Sequence, residues 1–188
     1  MKNDINIAVV GLGQVGIYLL NELNAKKKEI ELKTGKKINV VAVSARNINK
    51  KRRFKINKKI FYKNPLEIFN KAKIDVLFEA IGLSDGISKK VVETAIKNKI
   101  HIITPNKALI SKHGDYLAKL AEDNNVNLEF EASVAGGIPI LRTIKEGLAT
   151  NKISKVYGIL NGTSNYILSV MRDSKDSFSN VLKKAQKL

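Results

Sequence analysis

The sequence predicts an α/β fold, in which a doubly wound parallel sheet is followed by the start of a second, α+β domain. Short β-branched apolar runs without polar alternation recur over residues 1–132, as expected of strands buried on both faces of a sheet. Segments with apolar residues at helical spacing separate these runs, and such alternation builds parallel sheets. After residue 132 helical patterns dominate, so we place a complete domain at residues 1–132 and an incomplete second domain at residues 133–188.

The individual elements follow from local patterns taken in chain order. The first buried strand, residues 4–10, runs into a glycine turn and a helix, and a lysine-rich connection then leads to the second strand. Pro65 suits the first turn of a short helix. Further strands are expected at residues 38–45, 75–82, 100–104, 127–132 and 155–160, and further helices at residues 86–99, 108–125, 136–148, 161–172 and from 177 onward.

Composition limits the classes of function. The chain has 188 residues, no cysteine and a net charge of +17, with lysines spread along its whole length. Without cysteine, disulfides, thiolate catalysis and cysteine-ligated metals are excluded. No segment reaches the ~18 to 20 consecutive apolar residues of a membrane span, and the start lacks the layout of a signal peptide. We therefore expect a soluble cytoplasmic protein without a membrane partner.

One stretch, residues 50–63, concentrates basic residues around Phe54, Phe61 and Tyr62. Aromatic rings between cations can stack on bases while the cations neutralise phosphates, so a nucleic-acid-binding module is one alternative. A solvated loop followed by a short edge strand explains the same residues at least as well. We do not expect nucleic acid to be the main partner, because the other lysines form no designed patch.

The motif GLGQVG directly follows the first strand and opens the first helix. Gly11 permits a tight turn, Gly13 lets a pyrophosphate approach the backbone, and Gly16 lets helix and strand pack closely. Gln14 and Val15 would begin the helix, whose free N–H groups suit an anion. In this context the motif predicts a Rossmann-like dinucleotide-binding site.

The end of the second strand bears on which dinucleotide binds. A site for NAD usually places an acid there to accept hydrogen bonds from the ribose, but this chain has Ser44, Ala45 and Arg46, with Lys50 and Lys51 nearby. A guanidinium suits a 2′-phosphate, so the sequence favours NADP over NAD. The alternative for Arg46 is a plain surface cation stacked over the adenine.

The segment HIITPNKAL, residues 101–109, lies where a strand leaves the sheet, at the edge where open α/β sheets bind ligands. Pro105 keeps Thr104 out of helical geometry, so the turn directs Asn106 and Lys107 toward the crevice. Lys107 is therefore a candidate ligand-facing residue, with an ordinary surface lysine as the alternative.

Patterns of metal ligands are sparse. His101 and His113 lack the spacing of a metal site or a hydrolytic triad, so we expect both to be structural. Residues 131–139, EASVAGGIP, combine Glu131 at a strand end with small residues that leave backbone carbonyls accessible, and hard cations take such oxygen ligands. The alternative is a glycine hinge with Glu131 in a salt bridge.

Over nearly its whole length the sequence resembles the homoserine dehydrogenase family, through GLGQVG, VVAVSAR, TPNKAL with KHG, EASVAGGIP and YGILNGTSNYIL in that order. The resemblance implies NAD(P)-dependent interconversion of L-homoserine and L-aspartate 4-semialdehyde, in threonine and methionine biosynthesis. It also implies that residues 1–132 bind the cofactor and that residues 133–188 begin a catalytic domain, through which such enzymes commonly form homodimers.

The resemblance also assigns roles to residues. Lys107 corresponds to the lysine that approaches nicotinamide and substrate, and Arg46 to a position near the adenosine ribose. Gly162 and Thr163 correspond to a turn that lines the nicotinamide and substrate pocket, although Thr163 or Ser164 could simply cap a helix there. A structural sodium ion would be held by Glu131 and the backbone oxygens of Val134, Gly136 and Ile138.

The family continues past the last helix into a Gly-Tyr-Ala-Glu-like segment and then an Asp and a Lys, which bind homoserine and donate the proton. None of these positions is among the 188 residues, so we expect a truncated chain that binds nucleotide without turnover. A non-catalytic, dinucleotide-binding regulatory protein is the alternative.

Overall fold

The computed structural model describes residues 4–159 and 161–187. Its strands and helices divide between two compact units, the first ending at Arg142 and the second beginning at Thr143. The strands are β1 (Asp4–Val10), β2 (Lys37–Ser44), β3 (Phe61–Tyr62), β4 (Val76–Glu79), β5 (His101–Ile103) and β6 (Leu128–Glu129). The helices of the first unit are α1 (Gln14–Ala25), α2 (Lys27–Thr34), α3 (Ile68–Lys71), α4 (Ile87–Lys97), α5 (Lys107–Asp123), α6 (Glu131–Val134) and α7 (Ile140–Arg142).

The six strands form one sheet in the order β3-β2-β1-β4-β5-β6, and every neighbouring pair is parallel. The order reverses beside β1, because the chain first builds outward to β3 and then returns to place β4 on the other side of β1. Open sheets of this kind bind ligands in the crevice outside the carboxyl ends of the strands, at the point of reversal. The predicted doubly wound, Rossmann-like α/β fold is confirmed.

Helices cover both faces of the sheet, which explains why its strands are apolar without alternation. Along β1, Ala8 and Val10 belong to a buried cluster with residues of α4 and α5, whereas Ile7 and Val9 belong to a second cluster with Leu20 of α1. Each buried Val, Ile or Leu side chain of these clusters stabilises the fold by roughly 1.5–3 kcal/mol relative to exposure. The sheet is therefore held from both sides, and its carboxyl edge is a fixed frame for a site.

Three segments of the first unit differ from expectation or decide between alternatives. The lysine-rich connection before β2 contains the helix α2, which ends at Gly35 in the left-handed region (φ +65°). Residues 50–63 form a loop, a 3-10 turn and the edge strand β3, as the second alternative for this stretch predicted. The strand expected at residues 127–132 ends at Glu129, so Glu131 opens α6 instead of ending a strand.

The second unit contains a π-helical turn (Thr143–Gly147) and the helices α8 (Gly162–Ser174) and α9 (Phe178–Ala185). The strand predicted at residues 155–160 is absent from 155–159, and Leu160 lies outside the described residues. A strand needs a neighbour for its N–H and C=O groups, and residues 143–159 and 161–187 contain no other strand. The predicted boundary between residues 132 and 133, with its assignment of function, stays a prediction.

Within that unit α8 contacts α9, and each carries one buried apolar residue, Ile167 and Val181. The cap of α8 is Asn161, whose side-chain oxygen accepts a hydrogen bond from the backbone N–H of Ser164 at 2.9 Å. The sequence suggested Thr163 or Ser164 as the cap, but Thr163 already lies inside the helix. In the described part of the chain no helix combines the length and apolar content that crossing a membrane requires.

Candidate dinucleotide-binding site

The glycine loop between β1 and α1 is shaped by two close backbone approaches. Gly11 has φ +95° and donates its N–H to the carbonyl of Ser44 at 3.0 Å, which ties the loop to the end of β2. A methyl group on Gly11 would overlap the backbone of Ala80 beyond β4, and one on Gly16 would overlap the carbonyl of Gly11. Glycine at these two positions is therefore required by the packing of the loop.

Gly13, the middle glycine of the motif, has different surroundings. A Cβ on Gly13 would meet no atom within 4 Å, so the space beside it is open. Gly13 is also the N-cap of α1, without a side-chain hydrogen bond, and Gln14 and Val15 begin the helix. The backbone N–H groups of a helix's first turn have no partner within the helix, which makes them donors for an anion. This arrangement suits a pyrophosphate at the position that the sequence predicted.

Beside this loop lies a cleft of about 690 Å³ at the carboxyl edge of β1, β2 and β4. It is lined by the glycine loop and by residues that follow β2 and β4. Among the residues that the structure describes in its lining, none is acidic, and four are basic. The residues that line it are Val10, Gly11, Leu12, Gly13, Ser44, Ala45, Arg46, Asn47, Lys50, Arg52, Lys63, Pro65, Ala80, Ile81, Leu83 and Ile87.

Arg52 fixes the basic loop, residues 46–53, against the glycine loop between β1 and α1. Its guanidinium donates to the carbonyl of Leu12 at 3.2 Å and, within its own loop, to the carbonyls of Asn47 at 2.7 Å, Ile48 at 3.2 Å and Lys50 at 3.1 Å. A lysine could not make this set of contacts, since a guanidinium offers five donors in a fixed plane. In the sequence Arg52 is one of many basic residues in this stretch, and only its being an arginine distinguishes it from the neighbouring lysines.

Arg46 follows the end of β2 and lines the cleft with its side chain exposed. Lys50 and Lys63 also line the cleft, whereas Lys51 does not. The cations come from two segments of the chain, one after β2 and one after the edge strand β3. An anionic group bound there would be attracted by several charges at once.

Lys107 is the first residue of α5, at the carboxyl end of β5. Asn106 caps this helix by accepting the backbone N–H of Leu109 at 3.2 Å. The Lys107 side chain is exposed, and within residues 4–159 and 161–187 its ammonium group has no hydrogen bond or ion pair. It does not line the cleft described above. The structure therefore brings the glycine loop and Arg46 together, and Lys107 stands on the same edge of the sheet two strands from β1.

The largest omission of the sequence reasoning is Glu79, the last residue of β4. Its carboxylate is fully buried and accepts hydrogen bonds from four groups, which lie after β4, at the start of α4 and in the turn between β5 and α5. The available clue was an acid inside the apolar run DVLFEAIG, because a buried acid requires several donors.

The Glu131 side chain accepts hydrogen bonds from the backbone. The residue begins α6 and does not lie at the end of a strand, where the sequence predicted it. Its two carboxylate oxygens accept the N–H groups of Leu141 and Arg142, each at 2.8 Å, and so hold the start of α7 against α6. The carbonyl of Ile138 accepts the N–H of Ile140 at 2.8 Å. Among the described residues no group of three His, Cys, Asp or Glu side chains could hold a metal. That finding concerns side chains, whereas the predicted sodium ligands are mostly backbone carbonyls. The sodium site therefore stays a prediction.

Both histidines make contacts that hold neighbouring segments together. His113 Nε2 lies 2.9 Å from Asp85 Oδ1, and Lys112 Nζ donates to Asp85 Oδ2 at 2.8 Å. The Lys112 ammonium is the main cause that holds the pKa of Asp85 well below its usual value. His101 Nδ1 accepts the backbone N–H of Asn127 at 3.0 Å. The prediction that both histidines are structural is not tested by these contacts and stays a prediction.

A parallel sheet whose strand order reverses, with a glycine-rich turn between its first strand and first helix and a cleft at the carboxyl edge, is typical of dinucleotide-binding proteins. Comparison with known proteins narrows this class. The family model described as the NAD binding domain of homoserine dehydrogenase matches residues 11–131, and the model described as homoserine dehydrogenase matches residues 139–188. The chain belongs to the homoserine dehydrogenase family.

Similar proteins agree with this family. The homoserine dehydrogenase of Neisseria gonorrhoeae is 42% identical over 184 residues and that of Bacillus subtilis 35% identical over 184, each match covering 98% of this chain and 42% of the relative. The crystal structure of a homoserine dehydrogenase from Thiobacillus denitrificans matches with 38% identity and a TM-score of 0.76, over 98% of this chain and 42% of that one. A structure of the S. aureus enzyme matches with 36% identity and a TM-score of 0.73. The chain thus spans about 42% of the length of the curated relatives it matches.

Proposed function

We propose that this chain is the cofactor-binding part of a homoserine dehydrogenase that interconverts L-homoserine and L-aspartate 4-semialdehyde with NADP in preference to NAD. The observation that carries the proposal is the basic cleft beside the open glycine loop. Arg46 stands where an NAD site usually has an acid, and Lys50 and Lys63 line the same cleft. Three cations without an acidic lining residue suit the extra phosphate of NADP.

The proposed roles follow the chemistry of each position. Gly13 and the first turn of α1 bind the pyrophosphate, and Arg46 binds the 2′-phosphate. When bound, the dinucleotide supplies or accepts the hydride. Lys107 would face nicotinamide and substrate, where an ammonium can stabilise negative charge on the substrate oxygen. Gly162 and Thr163, the first residues of α8, would contribute uncharged groups to the same pocket.

Turnover is proposed for the longer protein of the family, because the resemblance places the substrate-binding Glu and Asp and the proton-donating Lys outside these 188 residues. In the same protein residues 133–188 would begin the catalytic domain and contribute to a homodimer. A sodium ion held by Glu131 and by the carbonyls of Val134, Gly136 and Ile138 would fix the start of that domain. The donor types fit a hard cation, since all are oxygens.

The proposal is tested by titrating the chain with NADPH and with NADH, following nicotinamide fluorescence. We expect NADPH to bind more tightly, and Arg46→Ala to weaken NADPH binding by roughly 10- to 100-fold while changing NADH binding little, because one charge-assisted contact is worth ~1.5–3 kcal/mol. Lys119→Ala is the matched control, since it removes an exposed cation of α5 that does not line the cleft.

Other outcomes separate the alternatives. No binding of either nucleotide would sink the dehydrogenase proposal, and equal losses for Arg46→Ala with both nucleotides would contradict the preference for NADP. Tight binding of single-stranded DNA by residues 50–63 would instead support the nucleic-acid alternative, which the family membership does not favour. In the longer protein, homoserine-dependent reduction of NADP distinguishes an enzyme from a regulatory nucleotide-binding protein.

A further inference from the structure

Glu79 has an unusual position for an acid. Its side chain is fully buried at the end of β4, where a carboxylate is costly unless hydrogen bonds replace its lost hydration. Four groups donate to it: the backbone N–H of Ile81 at 2.8 Å, the hydroxyl of Ser88 at 3.1 Å, the hydroxyl of Thr104 at 2.7 Å and the side-chain amide of Asn106 at 3.3 Å. The carboxylate therefore links the ends of β4 and β5 with the starts of α4 and α5.

The two carboxylate oxygens have different partners. Oε1 accepts from Ile81, Ser88 and Asn106, whereas Oε2 accepts from the Thr104 hydroxyl. Ser88, Thr104 and Asn106 are all buried. These buried partners favour the arrangement that is observed. If one of them moved away from Glu79, its polar group would be left buried without a hydrogen bond.

The turn that connects β5 to α5 contains two of these partners, Thr104 and Asn106. The Thr104 hydroxyl, which donates to Glu79, also accepts the backbone N–H of Asn106 at 3.0 Å. The Asn106 amide donates to Glu79 and to the carbonyl of Leu83 at 2.8 Å, while its oxygen caps α5. Both residues that flank Pro105 are thereby fixed, and the next residue in the chain is Lys107.

We propose that Glu79 is a positioning residue that holds the turn 104–106 and so determines where Lys107 stands at the carboxyl edge of the sheet. The inference rests on the proposed function, in which Lys107 faces the nicotinamide. An apolar residue at position 79 would fill the same volume with less desolvation, so its carboxylate is explained by the geometry it imposes. Sites need such supporting contacts, because a small displacement of a ligand-facing group weakens its interaction.

The test compares two variants that each remove one hydroxyl donor from Glu79. Thr104→Val removes the hydroxyl that donates to Glu79 and accepts the Asn106 N–H in the turn before Lys107, and Ser88→Ala removes a contact from α4 only. Each variant is titrated by calorimetry with NADPH and with 2′-phosphoadenosine 5′-diphosphoribose, which lacks the nicotinamide. The ratio of the two dissociation constants measures what the nicotinamide half contributes to binding.

For the unchanged chain we expect NADPH to bind more tightly than the analogue. Thr104→Val should reduce this advantage about tenfold and leave the Kd of the analogue within about twofold, because the adenosine half binds at a different part of the edge. Ser88→Ala should leave the advantage unchanged, and Thr104→Ser, which keeps the hydroxyl, should restore it.

Glu79→Gln provides a second variant if Thr104→Val does not fold, as judged by circular dichroism. The amide oxygen would keep the three donors at Oε1, so its NH2 group would face Thr104, whose hydroxyl hydrogen would then lack an acceptor. We expect the nicotinamide advantage to fall by about threefold, less than for Thr104→Val, since one buried contact is reversed rather than removed.

Three results would overturn the inference: equal weakening of both ligands by Thr104→Val, the same loss of advantage for Ser88→Ala, or no advantage of NADPH over the analogue in the unchanged chain. Failure of the unchanged chain to bind either ligand is a different result, which would overturn the proposed function itself. Nicotinamide fluorescence of bound NADPH supplies an independent reading, and its emission should shift toward the free value in Thr104→Val but not in Ser88→Ala.

Discussion

Gly13 and Gly16 belong to one sequence motif, GLGQVG, yet they are glycine for different physical reasons. Gly16 is limited by the protein itself, because any Cβ there would overlap the carbonyl of Gly11. Gly13 has φ −79°, which any residue can adopt, and open space beside it. Glycine at position 16 is therefore required by folding, whereas the open space beside Gly13 is available to the ligand.

Exchanging each of these glycines for alanine should separate stability from binding. Gly16→Ala should destabilise the fold by about 1–3 kcal/mol, since the backbone must shift to relieve the overlap. Gly13→Ala should stay within about 1 kcal/mol of the unchanged chain, because a poorer helix cap is offset by lower entropy of the unfolded chain. It should nevertheless weaken NADPH binding at least about tenfold.

Thermal unfolding and calorimetric titration measure the two effects. A Gly13→Ala chain that binds NADPH as well as the unchanged chain would contradict the placement of the pyrophosphate. A Gly16→Ala chain with an unchanged Tm would contradict the close approach of α1 to the glycine loop.

The amino end of α9 depends on one ionised acid. Asp176 accepts from Lys184 Nζ at 2.8 Å, from the Asn180 amide at 2.9 Å and from the backbone N–H of Ser177 at 3.0 Å. The Lys184 ammonium is the largest cause that lowers the pKa of Asp176 to about 2 from 3.8, and the two amide donors add to it. The helix and the segment before it are thus joined by a contact that requires the charged form.

We expect this contact to weaken in acid. Because the pKa of Asp176 is lower in the folded chain, the unfolded chain binds the proton first as the pH falls. The stabilising contribution is therefore complete above about pH 4–5 and is lost as the pH falls through about 2. Carbon NMR of the Asp176 carboxyl and hydrogen exchange of the α9 amides would follow the change.

In Asp176→Asn the protection of the α9 amides, relative to their intrinsic exchange rates, should be lower at neutral pH and should no longer fall with acid over that range. A titration midpoint near 3.8, the value for an unpaired Asp, would contradict the assigned contacts.

Within the described residues, the segment 151–159 and the basic loop at residues 46–53 both lack helix and strand. Residues 151–159 contain no helix or strand and are all exposed, whereas the basic loop near Lys50 lies at the proposed cofactor site. The two segments should therefore respond differently to a bound ligand, although both are rich in the lysine and arginine that trypsin cuts after.

Limited trypsin digestion with and without NADPH tests this difference. We expect early cleavage after Lys152 and Lys155, and slower cleavage at residues 50–53 when NADPH is present, because the ligand would cover that loop. Mass spectrometry of the fragments identifies the sites. Cleavage of the basic loop at the same rate with and without NADPH would contradict its place at the cofactor.

Prediction from the sequence succeeded where one pattern repeats within one element. The strand at residues 4–10 and the helices α4 and α5 were predicted because continuous apolar runs and 3.6-residue periodicity are local properties. It failed at residues 155–159, where an apolar run has no neighbouring strand in the described residues, and at α2, whose charged face carries little periodicity. Pairing and solvation of such segments are decided by what surrounds them.

The sequence by itself determined the class of fold, the glycine loop, the absence of an acid after β2 and the family, because each depends on residue types at fixed spacing. Only the tertiary structure decided which cations line the cleft, that Arg52 joins two loops, and that Glu79 meets Thr104 and Asn106. Those contacts join residues 25 to 40 positions apart, and sequence spacing does not encode such distances. They form only when parallel strands bring their carboxyl ends to one edge.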